Sequence, residues 1–394
     1  MKSEAECRTG KSLTRQQLEK RLEGIVPPDR AAEREAWKRW DSVAKPLRSL
    51  GVLEEAIASA AGIFGTWQVD FGKKAVVILC ADNGIVEEGI SQTGKEVTAV
   101  VTSNFTRGDS CVCLMAESAG AQVFPVDIGV EKELCGLGEK YPLIHKNVRR
   151  GTRNFLKEPA LTEEETVQAL EIGIDLVKDL KNQGYGLIAT GEMGIGNTTT
   201  SSAVASVLLG QPVETMTGRG AGLSSAVVSA ALKLDPYLVT GRGAGLDSPG
   251  LLRKISVIRQ GILLHQPDPE DGIDILSKVG GLDLAGMAGV FLGGALYRVP
   301  IVMDGFISGV AALMAQRICP ACAGYMLASH ISSEPAGHLL LEALHKKAAI
   351  SAGLCLGEGT GAAALMPLLD MALRIYREMS TFKEIQIEDY KPLK

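Results

Sequence analysis

The sequence predicts an α/β protein: a parallel, Rossmann-like sheet with helices on both faces, plus a smaller helical domain built from the N- and C-terminal segments. Three observations carry that expectation. Five short apolar runs each end at a polar or acidic residue, the pattern of strands buried on both faces. Helix-period segments separate most of them, which is the order of strand–helix–strand units. Both ends of the chain read as helical.

Residues 1–70 form the N-terminal helical segment of the small domain. Thr14 with Gln17 makes a capping box, Leu18, Leu22 and Ile25 line one face, and Pro27-Pro28 stops the helix. A second helix covers about 30–43 and ends near Lys45-Pro46, and an alanine-rich third follows Leu50-Gly51. Residues 71–350 alternate. Ala75 to Cys80 is a continuous apolar run that stops at Ala81-Asp82-Asn83-Gly84. A helix is expected from about 94 to 119, then a strand from Gln122 to Gly129 that carries Asp127. Thr162 and Glu165 cap a helix with Val167, Leu170, Ile174 and Val177 inward. Gly186 to Thr190 is the third strand and runs into Gly191-Glu192-Met193-Gly194-Ile195-Gly196-Asn197-Thr198-Thr199. Pro300–Met303 ends at Asp304, and Tyr325–Ala328 ends at Ser329-His330. Residues 351–394 hold a glycine-flanked acid, Gly357-Glu358-Gly359, and an apolar helical run that reaches Phe382. Ligands of open parallel sheets sit beyond the carboxyl ends of the strands, so Asp82, Asp127, Glu192, Asp304 and Ser329 are expected to share a pocket.

The balance of charge narrows the function classes. The 394 residues carry a formal net charge of −5 with no long basic run, which argues against nucleic acid or an anionic membrane as partner. The polar N-terminus lacks the apolar core of a signal peptide. The most membrane-like run, Val279 to Leu296, holds Asp283 and six glycines and is too short to span. A cytoplasmic location is expected. The eight cysteines include one CxxC, Cys319-Pro320-Ala321-Cys322, without a second pair or a histidine pair at zinc spacing. They read as reduced thiols, and no metal site is expected.

Glu358 reads from its surroundings as either a general base or a glutamate holding a tight turn. The 191–200 segment is a glycine-rich turn opening a helix, suited to a phosphate or to close packing. It is neither a Walker loop nor GxGxxG, since its glycines fall as GxxGxG and no lysine follows the last. Lys254, on an amphipathic stretch, reads alone as solvated. His330 and His338, around Ser332-Ser333-Glu334, read as packing and hydrogen-bonding groups, because no GxSxG elbow is present. Thr217–Leu223 is repeated residue for residue at Thr240–Leu246.

Taken together, Ala81–Gly84, Glu88–Ser91, Val97-Thr98, Gly191–Thr199, Lys278–Asp283, Val302–Phe306, Ser329-His330 with Glu334, and Leu356–Ala362 resemble the nicotinate-nucleotide–dimethylbenzimidazole phosphoribosyltransferase family. The likeness runs in order from Lys45-Pro46 to the C-terminal helix. It implies transfer of phosphoribosyl from nicotinate mononucleotide to 5,6-dimethylbenzimidazole or a related base, giving α-ribazole 5′-phosphate and nicotinate in cobalamin nucleotide-loop assembly. By resemblance, Glu358 is the general base, Glu192 the acid of the GEMG motif and Lys254 an activity lysine. Thr93, Met193, Ile195 and Leu356 would hold the flat base. Asp82, Gly194, Gly196, Asn197, Thr198, Asp304, Ser329, Gly357 and Gly359 complete the expected substrate site. No cofactor is implied, and the family points to a homodimer. Asn83 stands where the family usually has histidine, and the second Gly-Arg-Gly copy is an insertion. A non-catalytic nucleotide- or phosphosugar-binding protein is the alternative. An α/β oxidoreductase is weaker, because the dinucleotide fingerprint is missing.

Overall fold

The computed structural model describes residues 13–218, 248–388 and 390. Among them a six-stranded sheet runs in the order β3-β2-β1-β4-β5-β6. The strands are β1 (Lys73–Ala81), β2 (Ala121–Gly129), β3 (Ile144–His145), β4 (Tyr185–Met193), β5 (Ile301–Met303) and β6 (Met326–Ala328), and every pairing is parallel. β1 and β4 are central and almost wholly buried, as unbroken apolar runs must be when helices cover both faces. Two-residue β3 was not expected, being too short to leave a periodic signal. All five expected strands are present.

Side chains alternate across the sheet. Ala75, Val77 and Leu79 face one buried cluster, and Val76, Ile78 and Cys80 face the other. The first cluster is roofed by helices Glu163–Asn182, Leu282–Tyr297 and Phe306–Ile318, and Arg15–Leu22 joins this side. The second is covered by Arg30–Ser42, Val52–Phe64, Glu96–Arg107, Cys111–Ser118 and Thr360–Glu378. The N- and C-terminal helices therefore meet over one face: the Trp40 and Tyr376 rings pack at a tilt with centroids 5.0 Å apart. Both expected capping boxes form, at Thr14/Gln17 and Thr162/Glu165.

The membrane-like run is the buried helix Leu282–Tyr297. Its glycines let it lie against Glu163–Asn182: a Cβ on Gly289 would overlap the Leu170 carbonyl. Among the described residues no helix is long and apolar enough to cross a membrane. One expectation is corrected. The helix foreseen over 94–119 is two helices, Glu96–Arg107 and Cys111–Ser118. Gly108 ends the first at φ 75°, and the Ser110 hydroxyl accepts from Cys113 N to start the second. That break sets a fresh helix N-terminus, and the Val112 N–H there bears on Glu358. The duplicated Gly-Arg-Gly-Ala-Gly segments lie outside the described residues except for Thr217 and Gly218.

Candidate active site

Strand order reverses between β1 and β4, and a crevice opens beyond the carboxyl ends at such a switch point. A cavity of about 370 Å³ lies there. Its walls come from the loop after β1 (Ile90–Thr93), the turn after β4 (Met193–Thr198), the starts of the loops after β5 and β6, and the 355–358 segment.

Glu358 is held by an unusual turn. Gly357, Glu358 and Gly359 all have positive φ, at 86°, 61° and 96°. A non-glycine residue there costs about 1–3 kcal/mol and persists only when its surroundings enforce it. Two contacts do so. A side chain on Gly191 would overlap the Glu358 carbonyl, so glycine in β4 lets the turn lie flat on the strand. Asp304 accepts from Gly359 N at 3.3 Å and Ala362 N at 3.0 Å, capping the helix Thr360–Glu378 from another strand. The Glu358 Oε2 atom is buried with no protein hydrogen-bond partner. Burial raises its pKa, opposed by the Val112 backbone N–H.

Glu192, at the end of β4, is the centre of a buried acid cluster. The Asn197 amide nitrogen donates to Glu192 Oε2 and, at 3.1 Å, to Asp283 Oδ2. Burial and then the Asp283 charge push Glu192 up to about 8. Burial pushes Asp283 up to about 6. Burial also raises Asp304 and lowers His330, whose Nδ1 lies 3.9 Å from Asp304 Oδ1.

The opposite end suits an anion. The helix Asn197–Leu209 begins at Gly196 and points its N-terminus toward the cavity, where Thr198 lines the wall. Lys254 is 1% exposed, not solvated as its amphipathic stretch implied. Its ammonium donates to Thr198 Oγ1 at 3.0 Å and the Gly218 carbonyl at 3.1 Å. Burial lowers it to about 8, partly offset by Glu334, which burial raises to about 7.

Of the expected site residues, Glu358, Glu192, Thr93, Met193, Gly194, Ile195, Gly196, Asn197, Thr198, Lys254, Asp304, Leu356 and Gly357 line this one cavity. Three do not. Asp82 turns away to accept from Glu131 N at 2.8 Å. Ser329 lies behind His330, 3.1 Å from its Nδ1. Gly359 is under the turn against Val76 and Thr190. Asp127 also leaves the shared pocket, holding Val130 N and Asn147 instead. Asn83 sits beneath the 193–198 turn and donates to the Ile195 carbonyl at 3.4 Å. The cavity adds Val101, Ser308, His330, Ser332 and Glu334. The position of His330 and Glu334 just after β6 was the available signal for those two. Val101, on a helix, had none.

Comparison with known proteins finds relatives over nearly the whole chain. The phosphoribosyltransferase family DBI_PRT matches residues 25–226 and 223–387, the two stretches meeting just after the first Thr-Gly-Arg-Gly copy. A nicotinate-nucleotide–dimethylbenzimidazole phosphoribosyltransferase of Clostridium acetobutylicum is 44% identical over 377 residues, 96% of this chain and 99% of the relative. One from Acetivibrio thermocellus is 45% identical over 355 residues, 90% of this chain and 93% of its own. The crystal structure of CobT from Thermus thermophilus superposes with a TM-score of 0.80 at 35% identity, covering 91% of this chain and all of that one.

Proposed function

The chain belongs to the DBI_PRT family of phosphoribosyltransferases, and from that footing we propose how its site moves phosphoribosyl from nicotinate mononucleotide to 5,6-dimethylbenzimidazole. The products are α-ribazole 5′-phosphate and nicotinate, in the assembly of the cobalamin nucleotide loop. The observation that carries the residue assignment is the half-buried Glu358, its Oε2 atom buried and unpaired, held on the cavity wall by a strained turn.

One ring nitrogen of the base attacks C1′ of the ribose from the face opposite nicotinate. The C1′–N bond to nicotinate breaks, and its electron pair returns to the pyridine nitrogen, so the leaving group needs no proton. Attack from behind turns the β-nucleotide into an α-product. The proton on the base's other nitrogen passes to Glu358. Burial raises that carboxylate's proton affinity, which suits a base operating near neutral pH. The phosphate sits at the N-terminus of Asn197–Leu209 with Lys254 beside it, and Glu192 faces the ribose. Thr93, Met193, Ile195 and Leu356 form the wall for the flat ring, and orientation between the two ends lowers the barrier by proximity.

The working protein is a homodimer in the cytoplasm. Family resemblance supports the first, and the second is supported by Cys80, Cys111, Cys113, Cys135, Cys319 and Cys322, which are free thiols. A non-catalytic binding protein is not favoured, since relatives matched over nearly their whole length bear an enzyme's name.

The test mixes protein, nicotinate mononucleotide and dimethylbenzimidazole and follows nicotinate release. Release dependent on the base is expected. Glu358→Gln should lower kcat by about 10²–10⁴-fold with nucleotide affinity little changed. Near-normal turnover in that variant would return Glu358 to a turn residue.

A further inference from the structure

Outside the groups that meet the reacting atoms, one buried acid has no part in the chemistry so far. Asp283 opens the helix Leu282–Tyr297, is fully buried, and accepts from Leu284 N at 2.9 Å through one oxygen. Its other oxygen takes a hydrogen of the Asn197 amide that also donates to Glu192. Two carboxylates therefore share one NH₂ group. Like charges this close, both out of water, cannot both ionise cheaply.

We infer that Asp283 is a positioning residue: its buried charge, on the far side of the Asn197 amide the two acids share, holds Glu192 as a neutral carboxylic acid that donates a hydrogen bond to the bound nucleotide. Asn197 occupies Glu192 Oε2, so the proton belongs on Oε1, the atom beside Gly357 on the cavity wall. From there it meets the hydroxyl or phosphate oxygens of the ribose phosphate. An ionised Glu192 would instead repel the phosphate and leave those oxygens without a donor. Keeping Glu192 neutral also leaves Glu358 as the carboxylate that changes protonation during the transfer. The inference rests on the nucleotide subsite proposed above.

The groups facing Glu192 are Asp283, Asp304 and Glu358, with His330 beside Asp304 and Asp82 beyond Asp283. Across the cavity stand Lys254 and Glu334. The anions around Glu192 all favour its neutral form. Burial also lowers Lys254 to about 8, so the test separates the two.

The experiment is calorimetric titration of the intact protein with nicotinate mononucleotide, without base, from pH 6 to pH 9.5. Two protons are lost near pH 8, one from Glu192 and one from Lys254, so wild-type affinity should fall about 100-fold between pH 7 and pH 9. Glu192→Gln is permanently neutral, and the same interval should cost it only about 10-fold, from Lys254 alone. Asp283→Asn removes the neighbouring charge, lowers the pH at which Glu192 ionises, and should move the onset of the loss to lower pH. If that variant does not fold, Asp283→Ser is read the same way. Equal pH slopes in wild type and Glu192→Gln overturn the inference, as does an unmoved onset in the Asp283 variant. Failure of the wild type to bind nucleotide at pH 7 overturns the proposed function itself, which is a different result.

Discussion

Gly196 opens the helix Asn197–Leu209 at φ 93°, and a Cβ there would stand 2.8 Å from Val86 Cγ2. Taken from the sequence, Gly196→Val promises a clash with the nucleotide and nothing else. The structure makes it a folding mutation as well, because the backbone angle and the Val86 contact both oppose any side chain. Lys254 is the cleaner probe of the same subsite. Lys254→Met keeps the stem's apolar packing and removes a charged donor. Hydrogen bonds to charged groups contribute about 1.5–3 kcal/mol, so nucleotide KM should rise about 10–100-fold, measured by initial rates at saturating base. An unchanged KM would remove Lys254 from the phosphate site. As the proposed base, Glu358 should set the acid limb of the reaction. Its pKa is raised by burial, and a base must be ionised, so kcat should fall as pH drops through a value above the ordinary carboxylate range.

At the scale of elements, Asp304 joins the end of β5 to the head of the helix Thr360–Glu378. Its two oxygens take N–H groups that a helix start leaves unpaired. The residue at that helix's own N-cap is Gly359, which has no side chain to do so. Asp304→Ala should therefore cost about 1–2 kcal/mol, read as a lowered denaturation midpoint. It should also reduce kcat, since the same bonds hold the Glu358 turn. A variant with native stability and native kcat would show the clamp to be dispensable. The split of the 94–119 segment acts at this scale too. Continuous helix there would leave no N–H at Val112 to meet the Glu358 carboxylate.

For the whole molecule, the 3-2-1-4-5-6 strand order puts the cavity at the one place where crossovers leave in opposite directions. Helices from both chain ends close over one face of the same sheet. The proposed homodimer is tested by sedimentation at micromolar concentration, where the mass of two chains is expected and the mass of one would refute it.

Apolar runs such as Ala75–Cys80 determine a buried strand by themselves, because no other arrangement keeps every side chain from water. Capping boxes at Thr14 and Thr162 are equally local, since both partners lie within four residues. The parallel sheet, its five longer strands, the glycine-rich turn after the fourth strand and the Gly-Glu-Gly motif were therefore legible in order along the chain. What the strand ends do was not. Asp82, Asp127, Glu192 and Asp304 look alike in sequence, each an acid at or just beyond the end of a strand. Only the tertiary structure turns Asp82 to Glu131 N and Asp127 to Asn147 while placing Glu192 and Asp304 on the cavity wall. Lys254 sits on an amphipathic stretch that reads as solvated, yet it is buried against Thr198 and Gly218, 56 and 36 residues away. Burial of an apolar run is a property of the run. The direction of a polar side chain depends on which distant backbone groups are left unpaired beside it, and that is decided only when the chain has folded.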